Sequence, residues 1–361
     1  MRFKHVFIPG GAGFIGSAIA LMLRREAPGT RVTVLDNLVR RGSELNAARL
    51  EAAGARFTRG DVRRPEDLAR VGDFDLLVDC AADPSVQSGV AAPAAMLASN
   101  LTGSLHCLEL ARQRGAAFLF FSTSRVYPIE WLNGLAFREG ETRFHIEAAP
   151  CAGLSGAGVT EDAPLTGARS LYGAAKMACE LALVEYGRDY RMPVLINRCG
   201  VVAGPWQMAK ADQGVVTLWV ARHVFGLPLT YIGFGGQGKQ VRDVLHIDDL
   251  CDLVWRQMSD LTKWDGRARN VGGGPEGSVS LRELTGICQE ACGASVPLSS
   301  RPETPPQDVR WYVSDNGRAA SDFGWKPRRG VREVVADVAR WLRDHRAPLT
   351  SIFAPEGGHG A

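Results

Sequence analysis

Short apolar runs alternate with helical patterns through the first half of the chain. Runs of strand character are Val6–Ile8, Val32–Asp36, Leu76–Cys80, Phe118–Ser122 and Val194–Arg198. Helix-like segments lie between them, at Ile15–Arg25, Ser43–Ala53, Asn100–Arg114 and Leu171–Tyr190. Strands that alternate with helices predict an α/β fold, a doubly wound parallel sheet covered on both faces, with ligands at the carboxyl ends of its strands. Beyond Cys199 the pattern is less regular. Helical segments at Gly214–Phe225, Ile247–Met258, Leu281–Ala291 and Gly330–Asp344 are separated by glycine- and proline-rich stretches. The reading is therefore two units: residues 1–199, interrupted by a polar, glycine-rich insertion at 128–170, and residues 200–361, a smaller region with some segments returning to the first. An insertion of that length is usually functional or disordered. The glycine-rich tail from Ala354 to Ala361 is expected to fray.

Composition narrows the class. The chain has 361 residues, 45% hydrophobic and 22% charged, which is ordinary globular content. Its 42 basic residues against 39 acidic leave a net charge of +3, too small for a nucleic-acid or polybasic membrane surface. The eight cysteines form no CxxC pair, and Cys288 and Cys292 lack a neighbouring histidine pair. Neither a metal site nor a disulfide framework is expected, and reduced, buried thiols of a cytoplasmic protein are. A strand from Phe3 to Ile8 opens the chain without a leader pattern, and no 18-residue apolar run occurs.

The first strand runs into Gly10-Gly11-Ala12-Gly13-Phe14-Ile15-Gly16, which opens a helix. Glycine at 10, 13 and 16 permits a sharp turn, close backbone approach to a pyrophosphate and tight helix–strand packing. The helix N-terminus then faces the phosphates. Asp36 ends the second strand, where a carboxylate accepts hydrogen bonds from ribose hydroxyls and repels a 2′-phosphate. With Asn37 beside it, NAD is preferred to its phosphorylated form. Arg40 and Arg41 argue the other way, but are read as a solvated helix entry. Asp61-Val62 either meets the adenine or caps a helix. Ala81-Ala82 ends the fourth strand with residues small enough for the cofactor to approach.

Tyr172-Gly173-Ala174-Ala175-Lys176 is a YxxxK motif whose i,i+4 spacing puts both side chains on one helical face. A phenol of pKa near 10 is a weak base, and an ammonium one turn away stabilises the phenolate. Ser122-Thr123-Ser124 ends the strand at Phe118 and supplies a hydroxyl for the reacting oxygen. Thr123 is preferred, with Ser122 and Ser124 as alternatives.

Together these motifs resemble the extended short-chain dehydrogenase/reductase family, the nucleotide-sugar epimerases and dehydratases, over nearly the whole chain. The resemblance implies a Rossmann-type NAD domain and a smaller C-terminal nucleotide-sugar domain, with Thr123, Tyr172 and Lys176 catalytic. It also implies cofactor contacts from Gly10, Gly13, Phe14, Ile15, Gly16, Asp36, Asn37, Asp61, Val62, Ala81, Ala82, Asn100 and Ser122. Dehydratases of the family carry Asp-Glu after the catalytic threonine; Ser124 and Arg125 stand here and cannot do that acid–base work. The segments Ala82–Ser85, Ser124–Tyr127, Arg169–Gly173, Asn197–Gln207 and Gly238–Asp249 are most similar to the CDP-paratose 2-epimerase (CDP-tyvelose epimerase) group. That similarity implies inversion of carbon 2 of a CDP-linked deoxyhexose. Group members more often have glutamine where Asp83 stands.

For the substrate, Arg242, then Arg310, then Arg301 are candidates for the diphosphate, each with a surface ion pair as the alternative. Ser124, Arg125, Asn197 and Gln207 are further substrate candidates, and the 128–170 insertion is expected to shape the sugar pocket. His246 is read as structural, and Trp206 as either pocket wall or core. The resemblance implies a four-helix dimer interface from helices Asn100–Arg114 and Leu171–Tyr190, hence a homodimer or homotetramer, though their apolar stripes also suit intramolecular packing. Three rival readings are a UDP-hexose 4-epimerase, a nucleotide-sugar reductase or dehydrogenase with net redox, and a catalytically silent NAD-binding protein.

Overall fold

The computed structural model describes residues 2–147, 151–210 and 213–354. Seven parallel strands form the central sheet, in the order Asp265–Val271, Val194–Cys199, Ala117–Thr123, Leu76–Asp79, His5–Pro9, Arg31–Asp36 and Arg56–Arg59. The order reverses between His5–Pro9 and Leu76–Asp79, so the crevice beside their carboxyl ends is the switch point where such sheets bind ligands. The inner strands are apolar on both faces because helices cover both. One side packs Ile19, Leu23, Leu250 and Val254 against the sheet, and the other Leu108, Cys179 and Leu183.

The seventh strand comes from residues 265–271, well beyond the first half of the chain. Arg269 on it is fully buried, held by Asp265 at 3.0 Å and Asp322 at 2.8 Å and by the Lys263 carbonyl. A second assembly joins Val201–Ala203, Val241–His246, Ser278–Ser280 and Trp311–Tyr312. Helices Val215–Phe225, Leu281–Cys292 and Val331–Asp344 pack a separate apolar core around Trp219, Leu284 and Val338. Ser280 caps the second of these through a capping box with Glu283.

The 128–170 insertion is largely ordered, contrary to the alternative of disorder. It contains a short helix at Ile129–Asn133 and two hairpins, Phe137–Glu139 with Phe144–Ile146 and Leu154–Ser155 with Gly158–Val159. Leu132, Leu154, Val159 and Ala163 bury an apolar cluster against Val126, Tyr127, Val309 and Tyr312, and polar contacts add to it. Arg143 grips Glu283, the Phe144 amide donates to the Lys239 carbonyl at 3.0 Å, and Asn270 donates to the Val159 carbonyl at 2.8 Å. Residues 148–150 of it, and the tail from 355 onward, lie outside the described residues. All eight cysteines are free; Cys151 is exposed where burial was expected of the thiols. No described helix is long and apolar enough to cross a membrane.

Candidate active site

A cavity of about 680 Å³ opens along the carboxyl ends of the sheet strands. At one end is the glycine turn. Gly10 sits at φ 71°, and a Cβ there would lie 2.6 Å from the Ala81 backbone. Gly16 does not reach the cavity; a Cβ on it would lie 2.5 Å from the Gly10 carbonyl oxygen, so its role is close helix packing. Gly13, Phe14 and Ile15 line the cavity, and the Phe14–Glu26 helix starts without a side-chain cap, leaving its first amides for an incoming anion. Asp36 accepts from the Ala12 amide at 3.1 Å and the Leu38 amide at 2.9 Å. Burial pushes its carboxyl up, and these amides oppose that shift. Asn37 donates to Asp61 at 3.1 Å, and the Arg63 guanidinium holds the Asp61 carboxyl well below the usual range. Asp61, Val62, Ala81 and Ala82 also line this end. These glycines, amides and Asp36 fit a dinucleotide's pyrophosphate and ribose.

Arg40 departs from its expected place. It lines the cavity and donates to Gln213 across it, bridging the Asp36 loop to the far wall, while Arg41 is exposed. Asn100 also departs. It is buried in a π-helical turn at Ala98–Thr102, with its amide on the backbone of Asp83 and Met96, and it shapes the Asp83 turn without lining the cavity.

Mid-cavity, helix Leu171–Asp189 presents Tyr172 and Lys176, both buried, beside Thr123. Burial pushes the Tyr172 phenol up; the Lys176 charge and a hydrogen bond with Thr123 pull it down. Lys176 Nζ lies 4.4 Å from the centre of the Phe120 ring and also acts on Asp79. Asp79 was not anticipated. It is wholly buried at the strand end, accepts from the Ala81 amide at 3.1 Å, and has one oxygen without a partner. The Ser122 hydroxyl is turned away, donating to Glu180, which leaves Thr123 rather than Ser122 facing Tyr172. Glu180 also takes a bidentate pair from Arg198 (2.7 and 3.1 Å), and Arg198 reaches the Tyr127 hydroxyl at 3.2 Å. This buried network ties the helix that carries Tyr172 to two sheet strands.

At the far end Ser124, Arg125, Gln207 and Arg242 line the cavity. Arg242 pairs with Asp308 at 2.6 Å, not with adjacent Asp243, which turns inward to the amides of Ser314 and Gly274. Gln207 has both amide ends engaged, donating to the Val202 carbonyl and accepting from Thr217. Three predicted contacts fall elsewhere. Asn197 is fully buried in a reciprocal 2.9 Å amide pair with Gln257, because its position in the strand turns it toward helix Ile247–Ser259. Arg301 lies on the exposed Leu298–Arg301 strand. Arg310 lies over the Phe137 and Phe234 rings, at 5.8 and 5.5 Å, outside the cavity. His246 caps helix Ile247–Ser259, and Trp206 packs between Arg49 and Trp341. The apolar wall of Met208, Val215, Val216, Trp219 and Leu284 had no signal beyond ordinary core spacing. The described residues of the insertion do not line the main cavity; Ile129, Leu132 and Ser170 reach a side cavity of about 60 Å³.

Residues 6–272 match the model of the NAD dependent epimerase/dehydratase family, and the chain belongs to that family. CDP-paratose 2-epimerase of Salmonella typhi is 28% identical over 93% of this chain and 98% of that protein. A dTDP-glucose 4,6-dehydratase of Streptomyces niveus is 29% identical over 99% of this chain and 98% of its own length. Among solved structures, UDP-glucose 4-epimerase of Thermus thermophilus in complex with NAD superposes with a TM-score of 0.77 at 28% identity, covering 94% of this chain and 99% of that one. The cofactor is NAD, and the family's substrates are nucleotide sugars.

Proposed function

We propose that the chain is a nucleotide-sugar epimerase that works by transient oxidation, inverting carbon 2 of a CDP-linked deoxyhexose. The observation that carries the epimerase reading is the company of Tyr172. Thr123 and Lys176 stand beside it, while the two positions after Thr123 hold Ser124 and Arg125. Neither can shuttle a proton for loss of water, which favours epimerisation over dehydration. CDP and carbon 2 rest on the similarity to the Salmonella typhi protein over nearly the whole length of both chains.

Thr123 and Tyr172 both hydrogen-bond the reacting hydroxyl. Tyr172 takes its proton as the carbon is oxidised, and Lys176 holds the phenolate that accepts and later returns that proton. Bound NAD supplies reversible hydride exchange with the sugar carbon. Arg242 holds the diphosphate as a pivot while the keto-sugar presents its other face. The cavity walls exclude water from the intermediate. The return of the same hydride makes the cycle redox-neutral.

A panel of nucleotide sugars followed by NMR in deuterated buffer tests this. Inversion at one carbon without deuterium uptake, and with NAD retained through purification, is the expected result. Deuterium uptake at the inverted carbon would replace transient oxidation with proton abstraction. Loss of water, or a lasting change in nicotinamide absorbance, would replace epimerisation altogether.

A further inference from the structure

Arg125 lies two residues beyond Thr123, and its carbonyl abuts Gly173, so closely that any Cβ on Gly173 would collide with it. It is therefore fixed beside the first turn of the helix that carries Tyr172. Its guanidinium lines both the main cavity and the 60 Å³ side cavity next to it. Arg242 lines both cavities as well. The two arginines differ in their partners. Arg242 is neutralised by Asp308. Arg125 has no carboxylate within ion-pair distance among the described residues, and its one hydrogen bond there runs from Nη1 to the Gln307 carbonyl at 2.8 Å. Burial and the like charge of Arg242 both bear down on its protonated form. A half-buried guanidinium with most of its five donors uncommitted, next to a second guanidinium, is completed by an anion. That anion sits where Ser124 and Arg242 line the cavity, beside the first turn of the Tyr172 helix.

Where the anion sits decides which sugar carbon reacts. In a nucleotide sugar the diphosphate hangs from carbon 1. Carbon 2 adjoins carbon 1, whereas carbon 4 is across the ring. A diphosphate held next to Tyr172 brings carbon 2 to the phenol; a sugar presented through carbon 4 would carry its diphosphate away from Arg125. We infer that Arg125 binds the sugar-proximal phosphate of the substrate and, by holding it beside Tyr172, selects carbon 2 for oxidation. The inference rests on the nucleotide-sugar epimerase reading and assigns the residue that sets its regiochemistry.

Binding separates the two ideas from turnover. CDP and CMP differ by the sugar-proximal phosphate, so their affinities for the NAD-containing protein, measured by calorimetry, isolate the contact. Arg125→Met is expected to weaken CDP at least about 10-fold while leaving CMP within about 2-fold, since a charge-assisted phosphate contact is lost and the nucleoside pocket is untouched. Arg125→Lys, which keeps the charge without the fork, should fall between. NAD content and the melting temperature check that the variants are folded, and Arg125→Lys alone is read if Arg125→Met is not. UDP with UMP and dTDP with dTMP are run alongside. Equal weakening of diphosphate and monophosphate, no weakening of either, or failure of the wild type to distinguish any of the three pairs overturns the assignment.

For regiochemistry, deuterium is placed at carbon 2 or carbon 4 of the nucleotide sugar that turns over. A primary isotope effect is expected at carbon 2. One at carbon 4 overturns the inference and leaves the epimerase reading standing. Turnover confined to nucleotide hexuronic acids also overturns it, since a sugar carboxylate would then be the anion on Arg125. If no sugar turns over yet Arg125→Met weakens CDP selectively, the epimerase reading fails and the phosphate contact holds.

Discussion

Tyr172 is buried enough that its phenol is pushed above its ordinary value, and the Lys176 charge works against that push. The reacting species is the phenolate, so activity should rise with pH as Tyr172 deprotonates. Lys176→Met removes a charge that favours the phenolate, and its rising limb should move to higher pH in a rate profile taken on protein with matched NAD content. Tyr172→Phe should lower turnover by about 10²- to 10⁴-fold with bound NAD retained; unchanged turnover would remove Tyr172 from the chemistry. These residues were legible because their geometry is set by covalent spacing: four residues on a helix, or a glycine triplet on one turn. Asn197, Arg301 and Arg310 were not. How far a residue lies from the carboxyl edge of the sheet decides whether it reaches the cavity: Cys199, level with Thr123, does, while Asn197, two residues earlier on the same face, does not. Arg125 and Arg242 were both legible as cations, but only the fold shows that one has an acid partner and the other lacks it.

At the level of elements, the placement of Tyr172 depends on how helix Leu171–Asp189 is fastened. Glu180, two turns beyond Tyr172, accepts from Ser122 on one strand and Arg198 on the next. Glu180→Leu strands a buried guanidinium and should cost about 3–5 kcal/mol in urea unfolding, whereas Glu180→Leu with Arg198→Met should recover much of that loss. A double variant as unstable as the single one would show that the pair does more than balance its own charges. The insertion is fastened differently. Burial raises the Glu283 carboxyl, but Arg143, the Ser280 amide and Thr142 outweigh it and hold it at about 2. A carboxyl depressed on folding contributes stability above its unfolded value, near 4.5, and that contribution disappears as pH falls toward 2. Glu283→Gln should therefore flatten the acid side of the stability curve over that window. An unchanged slope in acid denaturation would mean that the Arg143 grip does not stabilise the fold. The hairpins of this insertion were invisible in sequence because their strands are two or three residues long, too short to show a period, and their buried side chains pack on residues distant in sequence.

For the whole molecule, the chain path decides what can fold alone. The alternation of apolar runs up to Cys199 made five of the first six strands readable and placed a boundary at residue 199. The seventh strand was harder to see, since Asp265–Val271 carries charged residues at three of its seven positions. Burial of Arg269 is possible only because Asp322, far along the chain, meets it there. That strand covers Val194–Cys199, which otherwise presents an apolar edge with unpaired backbone groups, a template for aggregation. A fragment of residues 1–199 also lacks helix Ile247–Ser259, whose Leu250 and Val254 cover one face of the sheet, and Gln257, which satisfies the buried amide of Asn197. It should therefore be aggregated or molten by gel filtration and near-UV dichroism. In the full chain, Arg269→Ala should cost about 3–5 kcal/mol by leaving Asp322 buried without its partner. A monomeric 1–199 fragment that unfolds cooperatively would show that the sheet is complete without its returning strand. Aggregation of the fragment, together with the Arg269→Ala loss, would mean that residues 200–361 form part of the core of the parallel sheet as well as the other wall of the cavity.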